Sequence, residues 1–313
     1  MQLHMATASK KSLLTLLEFE PDEIIHMLSR AAQLKRTRLV DDPPVFKGKT
    51  GVLIFEKPSL RTRITFEVAI HELGGHTVNL ASESVQIGRR ESVEDVARNL
   101  ERWVHLIVAR TFSHTTIEQL ANSCSVPVIN ALTDAFHPCQ ALAFALTLRE
   151  HRPDMRSTHV VFVGDGNNVC SSIMVLCAKL GYHFTLVCPT GYESPDDVLS
   201  ACRAIASKTG SRIEISTDVH AALATATAVY TDVWTSMGQE RESEQRKRSF
   251  RPLQLNRELL AHAPADALIS HCLPAHRGEE ITSDVLDGPN SVALDEAENR
   301  LHVQKAVIAH LCA

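Results

Sequence analysis

The sequence contains no cysteine or histidine spacing that is typical of a metal site. Its eight cysteines include no Cys-x-x-Cys pair, and its sixteen histidines include no His-Glu-x-x-His motif. Several cysteines lie in apolar runs, so we predict reduced thiols, mostly in the core of a cytosolic protein. We therefore expect no metal ion.

Long apolar runs and a strong charge of either sign are also absent. No run approaches the ~20 residues that a membrane span needs, and residues 1–11 lack the apolar stretch of a signal peptide. The formal net charge of −5 argues against broad nucleic-acid binding. We expect no membrane or nucleic-acid partner, and any anion site must be a local cluster of Arg and His.

The chain does show a regular alternation of strand-like apolar runs and helical patterns. This rhythm predicts an α/β fold with parallel sheets covered by helices on both faces. The predicted strands are Val52–Phe55, Thr77–Leu80, Leu106–Arg110, Val126–Asn130, Val160–Gly164, Phe184–Cys188, Ile213–Ser216, Ala228–Thr231 and Leu268–His271. The predicted helices include Ile64–Leu73, Val93–Val104, Thr116–Asn122, Gln140–Arg149, Ser171–Leu180, Pro195–Lys208 and Asp295–Leu311.

The length of 313 residues suits two domains of about 150 residues each. A proline follows the end of a predicted helix near residues 151–154, so we place a hinge there. The predicted domains are 1–150 and 151–294, with a helix at 295–313 that packs back on the first domain.

The most informative segment joins the first predicted strand to a helix. It brings Ser59, Arg61, Thr62 and Arg63 to a helix N-terminus, where unpaired N–H groups and the helix dipole favour an anion. Two hydroxyls and two guanidiniums are groups that bind phosphate well. Taken alone, the segment leaves open the alternative of a Ser N-cap followed by solvated arginines, which is the less favoured interpretation.

Further polar residues follow other predicted strands or begin helices. Arg110 ends a strand, and His137 and Gln140 at a helix start can donate to a carbonyl or phosphate oxygen. Asp232 offers a carboxylate for an ammonium group. Cys272 ends a strand beside a histidine, which admits a cysteine-nucleophile interpretation, but that leaves the phosphate segment unexplained.

The segment Gly164–Val169 partly matches a dinucleotide-binding fingerprint. Val169 replaces its third glycine, and Cys188 and Pro189 stand where the ribose-binding acid belongs, so we do not expect a nicotinamide cofactor. Asn167 and Asn168 either cap the next helix or bind a polar substrate. The mixed charges of residues 238–251 predict a solvated, mobile surface segment, with a lid as the alternative.

Together these segments resemble the aspartate/ornithine carbamoyltransferase family, and most closely its ornithine branch. The motifs that carry the resemblance are Ser59–Arg63, His137–Gln140, Asp232–Gly238, His271–Pro274 and Asp295–Arg300. The resemblance implies two doubly wound parallel-sheet domains joined by helices, with the active site in the cleft between them. It also implies carbamoyl transfer from carbamoyl phosphate to the side-chain amine of ornithine, no cofactor, a cytoplasmic location and a homotrimer.

The resemblance also implies a role for each matching residue. The phosphate would be held by Ser59, Leu60 through its backbone N–H, Arg61 and Thr62. The carbonyl oxygen would be polarised by Arg110, His137 and Thr62. The remaining carbamoyl contacts would come from Gln140, the Leu273 carbonyl, Cys272 and Arg300. The α-amino and carboxylate groups of ornithine would be bound by Asn168, Asp232, Ser236 and Met237.

Two further roles and three departures complete the comparison. Cys272, paired with Asp232, would lie near the attacking amine, and Gln86 would reach a neighbouring subunit's site. Leu60 replaces the usual Thr, Phe144 the usual Asp and Ser171 a common Asn. If the acid at position 144 supports the site, Phe144 weakens activity or alters the amine substrate. The alternatives are a carbamoyltransferase for N-acylornithine or putrescine, or a binding protein with little activity.

Overall fold

Strands and helices alternate in the computed structural model, which describes residues 11–38, 40, 44–57, 59–81, 87–88, 90–152, 154–155, 157–235 and 240–312. The strands are β1 (Thr50–Phe55), β2 (His76–Ala81), β3 (Leu106–Arg110), β4 (Val128–Leu132), β5 (His159–Val163), β6 (His183–Val187), β7 (Ile213–Ser216), β8 (Ala228–Thr231) and β9 (Leu268–His271). The helices are α1 (Pro21–Arg36), α2 (Leu60–Glu72), α3 (Val93–Leu100), α4 (His114–Ser123), α5 (Pro138–His151), α6 (Asn168–Leu180), α7 (Asp196–Thr209), α8 (Val219–Leu223), α9 (Ser243–Phe250), α10 (Arg257–Leu260), α11 (Ser283–Leu286) and α12 (Ala293–Cys312).

The described chain divides into two units. The first holds the described parts of Met1–Cys139 and Leu301–Ala313, and the second is Gln140–Arg300. The predicted bounds of 1–150 and 151–294, with 295–313 returning to the first domain, stay a prediction. None of the helices in the described ranges is long and apolar enough to cross a membrane.

The first unit is built on a parallel sheet in the order β2-β1-β3-β4. Its inner strands are apolar and buried, as a parallel sheet covered on both faces requires. The strand order reverses beside β1, and the register sets Arg110 of β3 opposite Phe55 at the end of β1. Ligands bind at such reversals, beyond the carboxyl ends of the strands.

The second unit is built on a parallel sheet in the order β7-β6-β5-β8-β9. Valines of β5 and β8 pack with Phe250 and Leu255 in its apolar core. Here the order reverses beside β5, which pairs with both β6 and β8. The residues that follow β5, β8 and β9 therefore emerge side by side at one edge.

The predicted α/β architecture is confirmed, and four strand predictions match in both bounds. Two boundaries were predicted wrongly for clear reasons. The strand β4 begins after Pro127, which has no N–H to donate to a ladder. The helix α2 begins four residues before Ile64, because the polar first turn is helical although it carries no apolar periodicity.

The segment 238–251, predicted to be a solvated and mobile surface segment, is mostly exposed or half-exposed over its described residues, but it forms regular helical structure and contains two buried residues. Glu240–Glu242 form a 3-10 turn, and Ser243–Phe250 form α9. Arg246 and Phe250 are buried there. The mixed-charge pattern did not reveal that Arg246 and Phe250 are buried. Their contacts within the second unit hold α9 in place.

A buried ion pair ties the end of α12 to α2 within the first unit. Lys305 is fully buried, and its Nζ lies 2.9 Å from Glu72 Oε2, while Arg38 bonds the same carboxylate. Burial disfavours the charged form of Glu72, but hydrogen bonds from Arg38 and Lys305 hold its pKa below the ordinary value. The ion pair therefore contributes its full stabilisation at pH values above the ordinary pKa of Glu72. This stabilisation is lost as the pH falls through the lowered pKa of the folded state.

Glu72→Gln should lower the free energy of unfolding by about 3 kcal/mol at neutral pH, because it removes a carboxylate from a buried ammonium. Urea unfolding followed by circular dichroism measures the loss, which should shrink as the pH falls below the ordinary pKa of Glu72. Glu67→Gln is the matched control, since Glu67 forms an exposed pair with Arg63 and should cost under about 1 kcal/mol. Equal losses in the two variants would contradict this account.

Candidate active site

The N-terminus of α2 carries two arginines, whereas three other helices carry acids at that position. Its first turn contains Arg61 and Arg63 and no acidic residue, whereas α1, α3 and α7 each begin with two acidic residues. The Ser59 side chain occupies the N-cap position without accepting a capping hydrogen bond. Cations beside the positive end of a helix dipole destabilise the helix, so this arrangement is one that a bound anion would stabilise.

The two arginines of this turn have different surroundings. Arg63 is exposed, and its Nε donates to Glu67 at 2.9 Å. Arg61 is partly buried, and Thr62 between the two is buried. Arg61 and Thr62 therefore face the interior side of the turn, while Arg63 belongs to a solvated ion pair.

Arg110 at the end of β3 adds a third guanidinium to this region. It is buried, and its Nη1 lies 3.5 Å from Ser59 Oγ. The register of β1 with β3 brings the two residues together. His137, which directly precedes α5, is also buried in this unit.

Lys57 is a further cation of this region that sequence reasoning missed. It is buried, and its Nζ lies 4.5 Å from the centroid of the Phe112 ring. Its place in the loop between β1 and α2 was the available signal. With Arg61 at the start of α2 and Arg110 at the end of β3, it is a third buried or half-buried cation of this region, and Glu56 of the same loop is its acidic neighbour in sequence.

Asp232 is the centre of the polar group in the second unit. Its Oδ2 accepts from Asn167 Nδ2 at 2.8 Å, and its Oδ1 accepts from Val233 N at 2.7 Å and Cys272 Sγ at 2.8 Å. These residues follow β5, β8 and β9, which are neighbours in the sheet. The contact between Asp232 and Cys272 that the resemblance implies is present.

Asn167 combines the two roles that the sequence left open. Its Oδ1 accepts from Val169 N and Cys170 N and caps α6, while its Nδ2 binds Asp232. Asn168 is the first residue of α6. Asn167 thus positions the Asp232 carboxylate, a role that the resemblance did not assign to it.

The Cys272 thiol is suited to donating a hydrogen bond rather than to nucleophilic attack. Burial, followed by the charge of Asp232, raises its pKa well above the ordinary value. A thiol with a raised pKa stays protonated at neutral pH. The cysteine-nucleophile interpretation therefore finds no support in its surroundings.

His271 anchors the loop that follows β9. Its Nδ1 accepts from Leu273 N at 2.8 Å, so the ring proton belongs on Nε2, which faces Glu280 Oε1 at 3.0 Å. Both His271 and Glu280 are fully buried. This pair fixes the backbone that carries Cys272 and Leu273.

The partial dinucleotide fingerprint after β5 serves the protein's own packing. A Cβ on Gly166 would lie 2.2 Å from Ser194 N, so the chain itself occupies the space beside this glycine. Asp165 pairs with the buried Arg246, whose Nε donates to Trp234 O at 2.6 Å. Burial raises the pKa of Asp165 to about 6, although Arg246 opposes this.

Gln140 belongs to a buried network at the start of the second unit. Its Nε2 donates to Glu296 Oε1 at 2.5 Å, and Tyr230 and Ser270 also donate to Glu296. Phe144, one helical turn after Gln140, is buried against Tyr230 with 4.9 Å between ring centroids. The network explains Phe144 as a core residue.

The remaining predicted residues have varied positions. Arg300 is buried in α12, and the Leu60 side chain is 72% exposed, so a role for Leu60 rests on its backbone. Gln86, Ser236 and Met237 lie outside the described residues. All eight cysteines are in described segments and are free thiols.

Two groups of described residues bring metal-ligating atoms together. They are Asp232, His271 and Cys272, and His276, Glu279 and Glu280. In the first group the thiol and Nδ1 are engaged in the hydrogen bonds given above. In the second, Glu279 pairs with Lys247 at 2.8 Å and Glu280 accepts from His276 N at 2.6 Å. We assign no metal to either group.

Family models match nearly the whole chain. Residues 11–150 match the carbamoyl-P binding domain of aspartate/ornithine carbamoyltransferase, and residues 156–311 match the Asp/Orn binding domain of the same family.

Named relatives cover similar lengths. The ornithine carbamoyltransferase of Pyrococcus horikoshii is 47% identical over 302 residues, which are 96% of this chain and 95% of that protein. The anabolic ornithine carbamoyltransferase of Pyrococcus furiosus is 46% identical over 96% of this chain and 95% of that protein. A solved structure of ornithine carbamoyltransferase from Pyrococcus furiosus has a TM-score of 0.93 at 45% identity and covers 97% of this chain and 98% of that chain.

Iodoacetamide should alkylate Cys272 slowly at pH 7, since each unit by which a pKa is raised leaves about tenfold less thiolate. Asp232→Asn removes the second cause of the raised pKa and should speed the reaction several-fold. Peptide mass spectrometry measures both rates. Cys124, which is also partly exposed, is the internal control and should react equally in both proteins. Fast alkylation of Cys272 in the wild-type protein would contradict this assignment.

Proposed function

Because this chain belongs to the aspartate/ornithine carbamoyltransferase family, we propose that it transfers the carbamoyl group of carbamoyl phosphate to the side-chain amine of L-ornithine. The products are L-citrulline and phosphate, as in arginine biosynthesis. The observation that carries the proposal is the acid-free, arginine-bearing N-terminus of α2, which suits a phosphate. The relatives named ornithine carbamoyltransferase support the choice of amine.

The first unit supplies the phosphate and carbonyl contacts in this proposal. The phosphate accepts hydrogen bonds from the groups at the start of α2, which are the Ser59 hydroxyl, the Leu60 N–H, the Arg61 guanidinium and the Thr62 hydroxyl. Arg110 and His137, with Thr62, polarise the carbonyl oxygen. Residues of the second unit complete the proposed carbamoyl contacts, since the carbamoyl NH2 group donates to Gln140 and to the Leu273 carbonyl, and Arg300 adds a further contact.

The second unit supplies the amine site. The Asp232 carboxylate is held by Asn167 and by the Val233 amide, which orients it for an ammonium group. The α-amino and carboxylate groups of ornithine bind Asn168, Asp232, Ser236 and Met237. Cys272 keeps its proton toward Asp232 and lies near the attacking amine.

The reaction is an addition followed by an elimination. The side-chain nitrogen of ornithine must first lose the proton that it carries at neutral pH. Its lone pair then forms a C–N bond to the carbamoyl carbon and gives a tetrahedral oxyanion. Arg110 and His137 place positive charge where that oxyanion develops. Collapse breaks the C–O bond to phosphate, and the departing phosphate accepts the proton that the attacking nitrogen releases after it has bonded to carbon.

Three finer features belong to the same proposal. We propose a cytoplasmic location and a homotrimer in which Gln86 reaches a neighbouring subunit's site. We also keep the domain bounds of 1–150 with 295–313 and of 151–294. These features rest on the resemblance to the family.

Citrulline formation from carbamoyl phosphate and ornithine tests the site through two neighbouring arginines. Arg61→Ala should raise the KM for carbamoyl phosphate about 10- to 100-fold, because it removes charge-assisted hydrogen bonds to the phosphate. Arg63→Ala is the matched control, since that side chain pairs with Glu67 in solvent, and its KM should change less than about twofold. Similar effects of the two substitutions would overturn the phosphate assignment.

A further inference from the structure

We propose that Glu296 is a positioning residue that turns the side-chain amide of Gln140 so that its oxygen receives the NH2 group of carbamoyl phosphate. This inference rests on the proposed function. Through Gln140, Glu296 would then make the site prefer a carbamoyl group to an acyl group of the same shape.

Three donors converge on the Glu296 carboxylate. Gln140 Nε2 lies 2.5 Å and the Tyr230 hydroxyl 2.7 Å from Oε1, and the Ser270 hydroxyl donates to Oε2. All four residues are buried within the second unit. A carboxylate that accepts three hydrogen bonds has no freedom to turn, so Glu296 is a fixed acceptor.

A fixed acceptor decides which end of an amide faces it. A glutamine side chain has a donating NH2 end and an accepting oxygen end. Because an ionised carboxylate only accepts, the NH2 end of Gln140 must face Glu296 and its Oε1 must face the opposite way. Oε1 is buried and has no hydrogen-bond partner among the described residues. A buried acceptor without a partner is costly, and a donating ligand would satisfy it.

The carbamoyl group supplies such a donor. Its NH2 group needs acceptors, which correctly oriented Gln140 provides. A reversed amide would set two NH2 groups against each other and turn the Gln140 oxygen toward a carboxylate. The orientation of one side chain therefore decides whether the carbamoyl NH2 is favoured or rejected.

Burial raises the pKa of Glu296 to about 7, while the hydrogen bonds from Ser270, Gln140 and Tyr230 oppose this rise. The three donors thus favour the ionised form that holds Gln140, and that form predominates above about pH 7. Tyr230 is itself fixed, because its ring lies between Phe162, at a centroid distance of 5.5 Å, and the edge-on ring of Phe144.

Phe144 gains an explanation from the same network. It lies four residues after Gln140 and so on the same face of α5. The resemblance places an acid at position 144, whereas here an aromatic ring fills that position and packs on Tyr230. Glu296 of α12 supplies the carboxylate to which Gln140, on that face of α5, donates. The replacement of the usual acid by Phe144 therefore leaves the network around Gln140 with the Glu296 carboxylate.

Acetyl phosphate tests the inference, because it replaces the NH2 group of carbamoyl phosphate by a methyl group. The measured quantity is the ratio of the acetyl phosphate inhibition constant to the carbamoyl phosphate KM. In the wild-type enzyme this ratio should be about 10 or more, since one good hydrogen bond is at stake. Glu296→Met should bring it to within about threefold of unity and leave acetyl phosphate inhibition unchanged.

Two matched variants separate positioning from damage to the fold. Glu296→Gln should keep the wild-type ratio, because its amide oxygen accepts from Gln140 Nε2. Tyr230→Phe removes one of the three donors but leaves the carboxylate and its contact with Gln140, so it should lower the ratio less than Glu296→Met does. If Glu296→Met weakens both ligands equally or leaves the ratio unchanged, the inference is overturned. If Glu296→Gln folds but its ratio falls toward unity, the inference is also overturned. The Glu296→Gln variant therefore keeps the test decisive if Glu296→Met does not fold.

The proposed function fails in a different way. A wild-type enzyme that forms no citrulline from carbamoyl phosphate and ornithine would contradict the function itself. A wild-type enzyme that forms citrulline but whose ratio does not respond to Glu296→Met would contradict only the positioning role.

Discussion

The parallel arrangement of the strands is the constraint on which both units depend. A parallel strand must be followed by a crossover connection, so successive carboxyl ends meet at one edge of each sheet. In the first unit this places Arg110 beside the end of β1 and near Ser59. In the second it sets the residues after β5, β8 and β9 next to one another. The polar groups around Ser59 and around Asp232 are therefore consequences of strand order.

Buried carboxylates then give these groups their orientation. Asp232 and Glu296 each accept three hydrogen bonds, from Asn167, Val233 and Cys272 in one case and from Gln140, Tyr230 and Ser270 in the other. Desolvation disfavours a buried charge, and the converging donors offset that cost. Side chains held in this way lose little further freedom when a substrate arrives, which is the advantage of preorganised catalytic groups.

Local patterns were sufficient for the strands of the fold, for most of its long helices and for the unusual start of α2. Strands such as Leu106–Arg110 are continuous apolar runs, and the contrast of Arg61 and Arg63 with the acidic starts of other helices is a sequence feature. The start of α2 was predicted too late because its first turn has no apolar residue on a helical period. In α9, Arg246 looked solvated because its partner Asp165 lies 81 residues away.

Long-range partners set the limit of sequence reasoning in the candidate site as well. The contact of Asp232 with Cys272 followed from the resemblance, but the dual role of Asn167 depends on where β5 and β8 pair. Gln140 and Glu296 are separated by 156 residues. No periodicity links two such positions, so the amide orientation and the place of Phe144 emerged only from the packed structure.

The amine preference of the wild-type enzyme tests the central claim most directly. Phosphate release from carbamoyl phosphate would be compared with ornithine, N-acetylornithine, putrescine, lysine and aspartate as acceptors. We predict that ornithine is preferred over N-acetylornithine, putrescine and aspartate by about tenfold or more in kcat/KM, since each lacks a charged group and a missing charge-assisted contact costs about 1.5–3 kcal/mol. Ornithine should also be preferred over lysine, because the longer side chain of lysine misplaces the attacking amine. A preference for N-acetylornithine or putrescine, or carbamoyl phosphate binding without turnover of any amine, would contradict the account.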